Sequence, residues 1–330
     1  MIDLRRLAPL LGALVVAACA TTPTPAPVAP PPAGAWSPVE VEVRPIGLGI
    51  PGGVRLASGV QFAGGFELVA GRDSPFHSLS DLKEHRGWFY AVSDAGALFR
   101  FRIGQDAATD EPVRPMRFEG RALTLLEGTP IIEKADGDAE GLAVTSAGDL
   151  LVSFERDHRI WNYGPPAAPR AEPAAAAAPD FAFALNDGME GISVAPGGWR
   201  VAGESGGVWD CTRQDCRVVV APPAEPIPDS DYRITGMDRD RSGAGFWVVE
   251  RRFRPPVDVR GRVRRMAFDG SLGPVLIELS LPSTVDNFEG IAVEDHRGGV
   301  RLYILSDDNG SARQRTLLLV FDVEATGSRQ

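Results

Sequence analysis

Glu140, Glu190 and Glu289 each stand directly before a glycine and the same short apolar pattern: Glu140-Gly141-Leu142-Ala143-Val144, Glu190-Gly191-Ile192-Ser193-Val194 and Glu289-Gly290-Ile291-Ala292-Val293. A second acid closes an apolar run downstream of each copy, at Glu155, Glu204 and Asp307, and Asp94 and Glu250 close two further runs of the same kind. If equivalent positions of a repeat face one axis, these residues form two rings of carboxylates. Acids brought that close need a cation, a basic partner or shifted pKa values. Oxygen-only donors suit calcium better than zinc, for which His77, His85, His158 and His296 show no ligand spacing. The expected metal set is therefore Glu140, Glu190, Glu289, Asp94, Glu155, Glu204, Glu250 and Asp307. Arg156 follows Glu155, and Arg251 and Arg252 follow Glu250; a guanidinium can neutralise a carboxylate or grip phosphate oxygens. The catalytic reading places Glu289, Glu190 and Glu140 around the cation, with Arg156 and Arg251 on phosphoryl oxygens. The structural reading has the same acids capping turns and pairing with arginines between repeats.

The elements that must position these acids follow from their spacing. Glu140, Glu190 and Glu289 are 50 and 99 residues apart, so a copy is missing near 240, where Ile234-Thr235-Gly236-Met237-Asp238 stands with Thr in place of Glu. An earlier copy, Ser78-Leu79-Ser80-Asp81-Leu82, leads to Trp88-Phe89-Tyr90-Ala91-Val92-Ser93-Asp94. A period near 50 is the signature of a repeat architecture. Each unit reads as a short strand, a turn, a second apolar strand and an acid, which is half of a four-stranded antiparallel blade. The expected fold is all-β: a single β-propeller of six blades, with five or seven as alternatives. The sixth blade is expected from residues 54–69 pairing with 316–323. With 37 Gly and 28 Pro and no long helical periodicity, the composition agrees. Asp269-Gly270 predicts a hairpin turn between strands at 263–268 and 275–279. Residues 164–179, almost wholly Pro and Ala, read as a solvated insertion.

Residues 1–18 form a targeting segment: Arg5 and Arg6, then an apolar run too short to span a membrane, then Val16-Ala17-Ala18-Cys19. Small residues before a cysteine resemble the bacterial lipoprotein signal, which implies lipidation at Cys19 and a periplasm-facing envelope location. Residues 19–38 read as a Thr/Pro/Ala tether, and 39–330 as the folded domain, expected to be a monomer. Cys211 and Cys216 sit in an exported chain at a spacing that suits a disulfide across a hairpin. A formal charge of −10 argues against nucleic acid as a partner. Gly203-Glu204-Ser205-Gly206-Gly207 matches the nucleophile-elbow pattern, but another strand follows it where that motif needs a helix.

The repeated Glu-Gly-Ile/Leu-x-Val, the Ser-Asp and Phe-Glu-Arg strand ends, Asp269-Gly270 and the closing Ser306-Asp307-Asp308-Asn309 together resemble the phytase-like β-propeller family, over residues 60–323. The resemblance implies a propeller, six-bladed, in exported bacterial proteins. Its label implies hydrolysis of a phosphorylated small molecule. The Asp-Ala-x-Asp-Asp-Pro type motif of calcium-dependent propeller phytases is absent; the nearest stretch is Asp136-Gly137-Asp138-Ala139-Glu140. Two functions follow as expectations: a calcium-assisted phosphoesterase, or a non-catalytic propeller binding a ligand or protein at the envelope.

Overall fold

Five antiparallel sheets account for the regular structure of this computed structural model, which describes residues 31–32, 34–106, 109 and 111–325. No helix occurs among the described residues. Blade one comprises Leu79–His85, Trp88–Ser93, Ala97–Arg102 and Met116–Ala122. Blade two comprises Ala139–Val144, Leu150–Phe154, Arg159–Gly164 and Ala174–Ala176. Blade three comprises Gly191–Ala195, Gly198–Ala202, Val208–Cys211 and Cys216–Val220. Blade four comprises Arg233–Arg239, Phe246–Arg254, Asp258–Met266 and Leu272–Ser280. Blade five takes Asn287–His296, Gly299–Asp307 and Leu317–Val323 from the end of the chain, and Val60–Ala70 and Val41–Pro45 from its start.

Each unit of the sequence repeat supplies the innermost strand and its neighbour in one blade, so five units make five blades. The expected sixth is corrected. Residues 60–70 do pair with the terminal strand, from Leu317↔Glu67 to Val323↔Val60, but this pairing lies inside blade five and closes the ring there. Val54–Leu56 joins the outer edge of blade four instead. Five separate apolar clusters fill the five gaps between neighbouring blades, including the gap between blades five and one. As many interfaces as blades means a closed ring, which leaves no unprotected pair of terminal sheets. The alternation of each strand puts apolar side chains such as Leu142, Val152 and Trp161 between blades.

Two further expectations change. Residues 174–176 of the supposed insertion form the outer strand of blade two, paired Ile160↔Ala176 to Asn162↔Ala174. An edge strand needs only one row of backbone hydrogen bonds, and alanine's weak β-propensity suffices for three residues. Strand pairing also begins inside the stretch read as a tether: Ser37–Pro38 pairs with Gly120 and Glu119 at the edge of blade one. Trp36 anchors it, donating from Nε1 to the Ala167 carbonyl at 3.0 Å beneath the Arg100 guanidinium. The segment 1–30, with Cys19, lies outside the described residues. The Asp269-Gly270 hairpin stands where expected, with Ala267 N–H donating to the Ser271 carbonyl and Gly270 at φ 83°. Cys211 and Cys216 are disulfide-bonded across the blade-three hairpin.

Candidate functional site

The acids converge because the blades share a register. In each blade, the residue two before the glutamate position meets the end of the second strand. Asp94 N–H donates to the Ser78 carbonyl (3.1 Å), Glu155 N–H to Asp138 (2.8 Å) and Glu204 N–H to Gly188 (3.0 Å). Asp307 pairs with Asn287 in blade five, and Arg251 with Arg233 in blade four. One ring is therefore Asp94, Glu155, Glu204, Arg251 and Asp307. The other is Ser80, Glu140, Glu190, Thr235 and Glu289. Glu250 does not belong: it pairs with Ile234, one residue out of phase, and a one-residue slip along a strand turns the side chain to the other face. There Arg262 donates to both of its carboxylate oxygens at 2.7 and 2.8 Å. The expectation of Glu250 as a ligand is corrected to an ion pair inside blade four.

At the end of the channel the charged members of the two rings line a cavity of about 530 Å³, and Ser80 and Thr235 lie outside its lining. Ten carboxylates and four cationic side chains border it, and the remaining seven residues of the expected metal set are among them. So are Arg156 and Arg251, but neither is free. Arg251 donates to Glu204 (2.9 Å) and to the Asn287 side chain (2.7 Å), and Asn287 in turn donates to Glu289 (2.7 Å). Arg156 is paired with Asp138. Lys134 holds Asp94 (2.5 Å) and Asp138 (3.1 Å), and Arg233 holds Asp187, Asp229 and Glu204. Arg252 lies outside the cavity lining, paired with Asp258 at 2.8 Å.

Even with these cations, burial leaves the acids hard to ionise. Burial, then the charges of Glu289, Asp94 and Glu155, raises Glu140 well above its ordinary range. Glu190 is raised likewise by burial and by Glu204 beside it, and Asp307 by burial and by Glu289. Glu289 is pushed up to about 7 by burial, with Arg251 opposing the rise. Glu155 is pushed up to about 8 by burial and by the Asp138 and Glu204 charges.

One corner of the cavity stands apart. Asp138, Glu140 and Glu155 each offer a carboxylate oxygen within 4.8 Å of the others. Glu155 is only 8% exposed, yet among the described residues its carboxylate has neither a hydrogen bond nor an ion pair. Its oxygens open on the cavity, where partial burial and the like charges of Asp138 and Glu204 make the ionised form costly. The donors are all oxygens, and no histidine or cysteine lines the cavity, so the corner fits a hard cation such as calcium. Asp138 (φ 55°) and Arg156 (φ 62°), which bracket the corner, both sit in the left-handed region that side chains rarely adopt.

Asp138 is the functional candidate that the repeat pattern passes over. It stands two residues before Glu140, at the position that Ser78, Gly188, Arg233 and Asn287 fill in the other blades. No recurrence marks it; only register does. The channel floor is equally unmarked. There Lys83 donates to both oxygens of Asp81 (2.7 and 2.6 Å) and to the Leu82 and Ile291 carbonyls, while Asp81 accepts from Leu142 N–H (2.8 Å). Ser205 lies in a turn joining two strands, Gly198–Ala202 and Val208–Cys211.

Residues 74–310 match the family model described as phytase-like, esterase-like activity of phytase. The chain belongs to the phytase-like family. The match spans the four strands of each of blades one to four and the two inner strands of blade five. No curated protein sequence matches the chain. Among solved structures, a putative gluconolactonase is similar at 13% identity and a TM-score of 0.43, covering 88% of this chain and 95% of that one. The PQQ-bound aldose sugar dehydrogenase from Streptomyces coelicolor aligns at 10% identity and 0.44, over 87% of this chain and 100% of that one. The allergen Mala s 1 of Malassezia sympodialis aligns at 11% and 0.43, over 80% and 88%. Nothing about the chemistry of the phytase-like site follows from likenesses this distant.

Proposed function

We propose that this phytase-like propeller is a calcium-assisted phosphoesterase of the cell envelope, with its cation held by Asp138, Glu140 and Glu155. The observation that supports it is the unpartnered, buried Glu155 carboxylate facing two other acids. A bound divalent cation supplies Lewis-acid polarisation of a phosphoryl oxygen. The chain's own part is positional. Arg156, through its one ion pair with Asp138, orients that acid toward the corner. Arg251 and Asn287 fix Glu289 and Glu204 on the opposite wall. Glu190 and Glu289, held partly protonated by burial, are the candidate proton donors to a leaving alcohol. Export on the signal 1–18 and lipidation at Cys19 belong to the same proposal, with residues from Ser37 onward docked on the propeller.

The test is phosphate release from a chromogenic phosphomonoester by the whole chain, with calcium and with chelator. The proposal predicts metal-dependent release that Glu155→Gln abolishes while the melting transition is kept. Absence of release, with a melting temperature still raised by calcium, would instead favour a cation-stabilised binding propeller.

A further inference from the structure

Two features of the mouth bear on what it accepts. The first is charge. All four cationic side chains of the cavity are already held by its carboxylates: Lys134 by Asp94 and Asp138, Arg156 by Asp138, Arg233 by three acids, and Arg251 by Glu204. A substrate carrying several phosphates finds no free cation to meet them, and whichever of the ten carboxylates are ionised repel it. A single phosphate needs only the one bound metal.

The second is the rim. Six large apolar side chains are more than half exposed among the described residues, and five of them, Ile50, Ile132, Leu185, Val257 and Leu281, lie on connections at the end of the blades where the cavity opens. Their positions follow from the strand order. Each innermost strand begins at this end and each second strand finishes there. The stretches between the second and third strands, and between one blade and the next, therefore all lie on the face of the ring that carries the mouth. Two of the five sit on the connections leading into the site. Ile132 is two residues from Lys134, and Leu185 is beside Asn186 and Asp187, all three of which line the cavity. His158 ties the Leu185 turn down, its Nε2 lying 3.0 Å from the Ala184 carbonyl oxygen. Ile132 and Leu185, exposed on the two connections that flank blade two and close in sequence to lining residues, offer the site a surface that meets an apolar group.

We infer that the substrate is an amphiphilic phosphomonoester, one phosphate on an apolar alcohol, and not a polyphosphorylated polyol. The phosphate goes to the acid corner, and the alkyl or aryl part lies over Leu185 and Ile132. This rests on the phosphoesterase reading and narrows it. The reaction balances as hydrolysis: water adds at phosphorus, the P–O bond to the alcohol breaks, and a proton passes to the leaving alkoxide.

The experiment compares kcat/KM of the calcium-loaded chain on hexyl phosphate, methyl phosphate and inositol hexakisphosphate, for the wild type and for Ile132→Ser/Leu185→Ser. Both substitutions are on the surface, and an unchanged melting temperature checks that the fold is kept. The expected result is a hexyl-to-methyl ratio of roughly tenfold, from partial burial of the added methylenes. That ratio falls toward one in the double variant, and inositol hexakisphosphate is the poorest of the three. Turnover of inositol hexakisphosphate as fast as hexyl phosphate, or a hexyl preference untouched by the double variant, would overturn the inference and leave the phosphoesterase reading intact. Release from none of the three would remove the reading itself.

Discussion

Replacing Glu155 by glutamine should stabilise the metal-free protein at alkaline pH, the reverse of what loss of a native contact does. Glu155 rises from an ordinary 4.5 to about 8 in the folded chain. A raised acid pKa makes its contribution to stability fullest below the unfolded value and progressively lost as pH climbs from about 4.5 through about 8. At pH 8, holding the group in the folded state costs up to about 4 kcal/mol relative to the unfolded chain. Water at the mouth screens the charge, which reduces the working figure to about 1–2 kcal/mol. Asp138 and Glu204 face the carboxylate with like charge, and Arg156 and Lys134 with opposite charge, so the penalty is a balance that the two cations do not fully offset. Glutamine is near-isosteric and uncharged. In chelator at pH 8, Glu155→Gln should raise the melting temperature by roughly 2–4 °C, at ~2 °C per kcal/mol for a domain of this size. The gain should shrink toward pH 5, where the wild-type group keeps its proton. With calcium the order should invert, because the wild type gains from binding and the variant does not. Scanning calorimetry at both pH values reads this directly. A lower melting temperature for the variant at pH 8 without metal would mean that the carboxylate already has a stabilising partner, and the case for a cation there would fall.

Other substitutions separate architecture from site. Glu250→Gln should weaken the fold through its lost pairing with Arg262 and Arg264, yet leave calcium affinity unchanged in a direct titration. Arg251→Met should cost about 2–3 kcal/mol in urea unfolding, since the buried Glu204 loses one of its two guanidinium partners and keeps only Arg233. Cys211→Ser, opening a bridge with a sequence separation of 5, should cost about 2 kcal/mol of stability by the same measurement, with no effect on the cation site.

The repeat made the fold legible because the glutamate positions recur at one blade's spacing, and the structure turns every located copy into the inner strand of a blade. The blade count was harder to read, because residues 54–69 look like a unit of their own. Their pairing with the terminal strand was expected; what shows that Val60–Ala70 completes blade five is that Leu317–Val323 also pairs with Gly299–Asp307. Seven of the eight acids reached the cavity, since a shared register delivers equivalent positions to one axis. Glu250 was misjudged because neighbouring strand residues face opposite ways: it stands at the position that Ser93 and Ser306 fill in blades one and five, and Arg251 takes the ring position. Asp138 and the Lys83–Asp81 pair left no mark in the sequence: each occurs in one blade only, so no periodicity singles it out.

The most direct test of the cation site is calorimetric titration of calcium into the chelator-stripped chain at pH 7.5. One ion should bind per chain, with binding lost in Asp138→Asn and Glu155→Gln and retained in Glu250→Gln. No binding to the wild type, or equal binding by Glu155→Gln, would contradict a metal centre at Asp138, Glu140 and Glu155.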